Sequence, residues 1–179
     1  MISFVTSNEH KFNEAKEIFK KYGIKLEWLA QDYKEIQGDS LEEIVVESLK
    51  EIGGTSIMIE DAGLFIDALY GFPGVYSRFV EDTIGNKGIL KLMESIEDRE
   101  ARFESVVGYK DEEGEMRVFK GVVKGRIAHE IKGKGGFGYD PIFIPEGYNK
   151  TFAQDIKVKN DISHRKRALE EVARFLRNR

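Results

Sequence analysis

The chain has 179 residues, enough for one domain to bury a substantial core unaided, and its lack of cysteine excludes disulfides, thiolate zinc sites and cysteine nucleophiles. A formal charge of −4, from 28 basic and 32 acidic side chains, gives no bulk attraction to a polyanion; long nucleic acid is disfavoured, whereas a small anion held by a local cation cluster is not. No apolar run approaches the roughly 20 residues of a membrane span, and the start Met1-Ile2-Ser3-Phe4-Val5 lacks a signal peptide's basic region and cleavage site, so a cytoplasmic address without a membrane partner is expected.

Residues 2–5 read as a short buried strand, followed by a Thr6-Ser7-Asn8 turn and a helix carrying Phe12, Ala15, Ile18, Phe19 and Tyr22 at helical spacing. Residues 24–29 alternate as a strand. Ser40 with Glu43 forms a capping-box pattern for a helix whose Leu41, Ile44, Val45, Leu49 and Ile52 share one face and which Gly53-Gly54 ends. Residues 55–59 are a further β-rich run, ending in the acidic pair Glu60-Asp61 before Gly63, and residues 84–96 have the period of an amphipathic helix. Residues 102–109 and 116–123 flank an Asp111-Glu112-Glu113-Gly114 turn in the pattern of an antiparallel hairpin. A glycine-rich stretch at 133–138 precedes a short apolar run at 141–145, and the chain closes with a basic helix bearing Ala168, Leu169, Val172, Phe175 and Leu176. With no internal repeat or linker, the prediction is one α/β domain over residues 1–179, a twisted mixed sheet with helices packed on it.

Five segments carry candidate chemistry. Thr6 to Lys11 sets hydroxyls, an amide and a lysine where a strand meets a helix N-terminus, a place that favours an anion; the alternative is an ordinary N-cap with a surface lysine. The strand entering Glu60-Asp61-Ala62-Gly63 delivers carboxylates at its C-terminal end, where hard oxygens suit magnesium. If that strand persists through Asp61, only one of the two carboxylates faces the site, and Asp61 is favoured because Ala62-Gly63 lets the backbone approach a ligand. The competing reading has the acidic pair cap a turn of helix over residues 63–70. Gly71-Phe72-Pro73-Gly74-Val75-Tyr76-Ser77-Arg78 specifies a rigid loop that lines a cleft or serves as a structural turn. Gly135-Gly136-Phe137-Gly138-Tyr139-Asp140 offers an aromatic ring beside an acid, as a stacked base requires, or else a glycine-rich hairpin. In the last segment, Ser163 is placed to cap a helix whose first turn holds His164 and Arg165, after Lys157 and Lys159. Cations there oppose the helix dipole and call for an anion, unless they form a solvated basic face.

In their order along the chain, Thr6-Ser7-Asn8 with Lys11 and Glu14, Glu60-Asp61-Ala62-Gly63-Leu64, residues 71–77, Gly136 to Pro141, Thr151-Phe152-Ala153 and Ser163-His164-Arg165 resemble the inosine triphosphate pyrophosphatase family. The resemblance implies an elongated α/β fold, with a long twisted mixed β-sheet and flanking helices forming two lobes around a nucleotide cleft, and a homodimer. It implies hydrolysis of ITP, dITP or XTP to the monophosphate and pyrophosphate with Mg2+ as cofactor. Carried over by position, Lys11 with Thr6, Ser7 and Asn8 holds the phosphates. Asp61 binds magnesium and accepts a proton from the attacking water, and Glu35 is a second metal ligand. Phe137 stacks on the base beside Gly138, Tyr139 and Asp140, and Lys159, His164 and Arg165 complete the nucleotide site. Glu9 stands where the family frequently has proline, and Ala62 where it commonly has serine, so any phosphate contact at position 62 comes from the backbone N–H. The rival readings are a pyrophosphatase for modified pyrimidine triphosphates and a nucleotide sensor without hydrolysis.

Overall fold

The computed structural model describes residues 1–31 and 36–178. The opening apolar run forms β1 (Ile2–Val5), and the polar turn leads into α1 (Glu9–Lys21). Asn8 caps that helix by accepting the Lys11 amide at 3.2 Å, while Lys20 and Lys21 meet the negative end of its dipole. β2 (Leu26–Leu29) lies parallel to β1, pairing Ile2 with Leu26 through Val5 with Leu29. Ser40 caps α2 (Leu41–Glu51) through the Glu43 amide at 3.2 Å, but the return arm of the capping box is shifted by one residue. Glu43 Oε2 accepts from the amide of Asp39, not that of Ser40.

The largest difference from the sequence reading is β3 (Ile57–Ile66), which also runs parallel to β1 and continues through both acidic residues for ten residues in all. The stretch after Asp61 is therefore extended, and the acidic pair caps no helical turn. Burial on both faces, with Ile57 to Glu60, Leu64 and Ile66 all enclosed, removes the period-two alternation that would have marked its full length. Gly63 makes the continuation possible: a Cβ there would lie 2.5 Å from the carbonyl oxygen of Gly74.

The helix expected over 84–96 is present as the shorter α4 (Gly85–Leu92), and a helix absent from the sequence reading, α3 (Ser77–Thr83), precedes it. The break falls at Gly85, whose φ of +59° lies outside the helical region, and Ile84 folds over Gly88, where a Cβ would lie 2.3 Å from the Ile84 Cβ. β4 (Glu100–Lys110) and β5 (Met116–Ile127) flank the acidic turn, in which the Asp111 amide donates to the Glu115 carbonyl at 3.0 Å. Neighbouring strands joined by so short a turn run antiparallel. β6 (Phe143–Pro145) pairs antiparallel with β5, Ile127 opposite Phe143. α5 (Ile156–Ile162), absent from the sequence reading, is capped by Asp155, which accepts the Val158 amide at 3.1 Å, and α6 (His164–Arg177) follows. The sheet order is β2-β1-β3-β4-β5-β6, mixed as expected.

The residues group into two compact units: Met1–Asp61 with Ser105–Gly121 and His164–Arg179, and Ala62–Glu104 with Val122–Ser163. The first has a core of Phe4, Phe12, Phe19, Met58, Val107, Leu169 and Val172, which joins β1 and β3 to the apolar faces of α1 and α6. The second packs Leu64, Ile66, Ile89 and Met93 with an aromatic triad, Phe103, Phe143 and Phe152, whose rings stand 4.5 to 6.2 Å apart.

Within the first unit β5 touches α6 at Gly121, where a Cβ would lie 2.0 Å from the His164 carbonyl oxygen and 2.6 Å from the Ala168 nitrogen. Both are backbone atoms of a helix and cannot yield cheaply. Gly121→Ala is expected to cost about 3 kcal/mol of stability by chemical denaturation; an unchanged midpoint would contradict this close approach.

Candidate functional site

The first unit brings two of its predicted site residues, Lys11 and Arg165, onto one carboxylate. Adjacent residues of a strand face opposite ways, and β3 turns Glu60 fully inward, at 3% exposure, while Asp61 stays half-buried. A buried carboxylate needs cationic or hydrogen-bonding partners. Glu60 has Lys11 Nζ at 3.1 Å from Oε2, Arg165 Nε at 3.0 Å and Ser105 Oγ at 2.8 Å from Oε1. Lys11 also donates to the Glu60 carbonyl at 3.3 Å, and Arg165 Nη1 donates to Glu14 at 2.8 Å. Burial alone would raise the Glu60 pKa, but the charges of Arg165 and Lys11, with hydrogen bonds from Ser105 and Arg165, hold it well below the usual carboxylate range. Burial pulls the other way on Arg165, and Glu60 and Glu14 outweigh it, pushing the guanidinium above its ordinary value.

These contacts sort the predicted phosphate and base residues of this unit. Thr6 Oγ1 accepts the Asn8 amide at 3.1 Å and Asn8 caps α1, so both side chains build the turn, whereas the Ser7 side chain is exposed. Lys11 is held at the edge of the network with its side chain 17% exposed. His164 and Arg165 open α6, both buried at 3% exposure. The anion that a cationic helix start calls for is supplied to Arg165 by the protein's own Glu60 and Glu14. Glu35 lies outside the described residues.

The second unit builds an aromatic platform. Ala62 is half-buried on β3, and Gly63 brings the strand against the 71–77 loop; there Ser77 Oγ accepts the Leu64 amide at 2.9 Å and donates to the Gly74 carbonyl at 2.7 Å. That motif is thus a structural turn fastened to the strand. Across residues 136–140, Asp140 Oδ2 accepts the Phe137 amide at 3.0 Å and meets the buried Lys159 Nζ at 2.6 Å. Lys159 in turn lies 4.3 Å from the Phe137 ring centroid, a cation held against an aromatic face. Gly136, at φ +66°, is obligatory, because its Cβ would fall 2.1 Å from Asp140 Oδ2. Tyr139 is buried and donates its hydroxyl to the Ser77 carbonyl at 2.6 Å, so its ring is a structural anchor; burial, with Glu81 and Asp82, raises its pKa. Gly138 accepts from Asn86 Nδ2 at 3.0 Å. A half-buried ring backed by a lysine and a carboxylate suits a planar base with a polar edge.

The structure places Phe137, Asp140 and Lys159, all named from the sequence, in contact, and it centres the other cluster on Glu60, which the sequence reading did not single out. Glu60 carried a signal, since strand alternation beside Asp61 turns it the other way, where a carboxylate needs cations. Ser105 and Asn86 carried none, their partners lying 45 and 52 residues away. Among the described residues no group of three or more His, Asp or Glu side chains forms a metal cage. Because the folded-state pKa of Glu60 is depressed, its contribution to stability is fully present above the unfolded value of about 4.3 and is lost as pH falls toward the folded value. Glu60→Gln should cost about 3 kcal/mol at neutral pH and flatten the acid limb of the stability curve; an unchanged acid limb would show that this carboxylate is not the group titrating.

Residues 2–175 match the Ham1 family. The dITP/XTP pyrophosphatase of Methanopyrus kandleri is 51% identical over 99% of this chain and 96% of its own, and that of Thermococcus kodakarensis 48% over 98% and 97%. Among solved structures, a HAM1 protein from Coxiella burnetii superposes with a TM-score of 0.82 at 28% identity, covering all of both chains. The Staphylococcus aureus Ham1 protein gives 0.79 at 31% identity, covering 98% of each. The family match over residues 2–175, the identity along nearly the whole length and the superposition on solved Ham1 proteins agree: the chain belongs to the Ham1 family.

Proposed function

We propose that this chain is a nucleoside-triphosphate pyrophosphatase that hydrolyses ITP, dITP and XTP to the monophosphate and pyrophosphate, clearing non-standard purines from the nucleotide pool. The observation that carries the reading is the Phe137 ring backed by the buried Lys159–Asp140 pair, in a chain whose relatives are dITP/XTP pyrophosphatases. The ring gives a base a stacking surface. Lys159 beside that ring is a donor; a donor satisfies the 6-oxygen of hypoxanthine or xanthine and leaves the 6-amino group of adenine unsatisfied.

On the phosphate side, Lys11 supplies a full charge beside the first-turn amides of α1. Magnesium fits the donor chemistry present: it is ordinarily held by one or two carboxylates together with substrate phosphates, and Asp61 offers such an oxygen on the strand face away from the Glu60 network. Asp61 would hold the ion, with Glu35 as the second ligand. When bound, the ion neutralises phosphate oxygens and makes the phosphorus more electrophilic. Asp61 accepts a proton from water as the water oxygen bonds to the α-phosphorus. The bond from that phosphorus to the bridging oxygen then breaks, and Lys11 stabilises the charge that collects on the departing pyrophosphate.

Pyrophosphate release from ITP, XTP, GTP and ATP, with magnesium and then with chelator, tests the reaction. Magnesium-dependent release from ITP and XTP far above the other two is expected; equal release from all four would discard the base selectivity, and none from any would discard hydrolysis. Asp61→Asn should fold normally and lose about a thousandfold in kcat, and full retained activity would remove Asp61 from its role. Lys11→Ala should lower kcat/KM by about ten- to a hundredfold, whereas unchanged kinetics would free Lys11 of the phosphates.

A further inference from the structure

We infer that Asn86 is a positioning residue for base recognition, acting through the carbonyl of Gly138 to fix the loop that presents Phe137. The inference rests on the reading of Phe137 as the base platform. Asn86 belongs to none of the motifs of the sequence; it is the second residue of α4. Its carboxamide Nδ2 donates to the Gly138 carbonyl at 3.0 Å. Its Oδ1 is buried with no hydrogen-bond partner among the described residues. A buried acceptor left unpaired is costly, and an apolar side chain of the same shape would avoid that cost. The side chain is therefore best explained by what its N–H group holds.

The loop needs holding from outside. Gly136 and Gly138 stand at φ +66° and +63°, and glycine on both sides of Phe137 leaves the backbone little intrinsic preference. Among the hydrogen bonds that limit that freedom, three tie the loop down through its side chains and neighbours. Inside the loop, Asp140 accepts the Phe137 amide; from α3, the Ser77 carbonyl takes the Tyr139 hydroxyl; from α4, Asn86 takes Gly138. Of these, only the Asn86 bond acts on a residue directly adjacent to Phe137 from outside the loop. Glu81 lies on the other side, its carboxylate 3.4 Å from where a Gly138 Cβ would lie. Losing the Asn86 donor frees the ring to tilt away from its place against Lys159.

Asn86 touches no reacting atom, so it affects ground state and transition state alike: affinity for the base falls and turnover does not. Asn86→Asp keeps the shape, removes the donor and sets a carboxylate against the carbonyl; Asn86→Leu keeps the branching at Cγ and removes both polar atoms. The test is calorimetric binding of IMP and, separately, of magnesium pyrophosphate to wild type and both variants, with steady-state kinetics on ITP. We expect IMP affinity and the ITP KM to worsen about tenfold in both variants, with kcat and pyrophosphate affinity held within about twofold. Unchanged IMP affinity in the variants would overturn the proposal, as would equal weakening of IMP and pyrophosphate, which marks a merely structural role. A wild type that binds IMP without hydrolysing ITP would overturn the hydrolytic reading and leave this inference standing on the IMP ratio. A wild type that binds no IMP would overturn both.

Discussion

The first unit depends on one carboxylate placed where water cannot reach it. Ionised Glu60 in the middle of β3 is tolerable only because Lys11, Arg165 and Ser105 converge on it. Those partners come from α1, α6 and β4, so segments far apart in the chain must meet correctly before the charge is satisfied. The apolar core of Phe4, Phe12, Met58 and Leu169 brings the same elements together without specifying their register. The ion network adds that specification, since sliding α6 by one residue would take Arg165 from Glu60 and leave a buried charge unpaired. Lys11 is thereby held at the head of α1, and Asp61, the next residue on the strand, is turned to the opposite face.

Ser77 does for the second unit what Glu60 does for the first, without charge. Its hydroxyl joins the Leu64 amide of β3 to the Gly74 carbonyl, and its own carbonyl takes the Tyr139 hydroxyl. One residue thus fastens the strand, the glycine-proline turn and the loop that carries Phe137. Gly63 and Gly74 let the strand and turn approach closely enough for those bonds to form, which explains why a turn motif with no evident chemistry stands between two motifs that have it.

Legibility in the sequence followed the range of the interactions. α1, α2 and the β4–β5 hairpin were readable because their signals, apolar spacing and caps, lie within a few residues of the element. β3 was cut short because a strand buried on both faces loses the alternation that identifies it. α4 was readable from its apolar spacing, whereas α3, only seven residues long and directly after the glycine-proline turn, was missed. α5 is short and mostly polar, and it was missed although Asp155 caps its start. In the site, residue types were legible and their pairings were not. That Arg165 wanted an anion could be argued from the helix dipole; that Glu60 and Glu14 would supply it could not, since those contacts span 105 and 151 residues.

Those pairings bear directly on the chemistry. Lys11 and Arg165 are matched by Glu14 and Glu60, and Lys159 is matched by Asp140, so neither cluster brings a surplus of positive charge to a ligand. The chain as a whole is negative, at −4. A nucleoside triphosphate carries about three to four negative charges at neutral pH, and the side chains of these clusters cannot balance it alone. A substrate that arrives with a divalent cation solves the problem, and in the proposed reaction Asp61 would add one more carboxylate to an ion rather than to a bare polyanion. In the proposed reaction magnesium is therefore an electrostatic requirement of binding before it is a requirement of the chemical step. The internal ion pairs serve a different end, holding Lys11 and the Phe137 platform in place, so that little ordering of the protein is left for the substrate to drive.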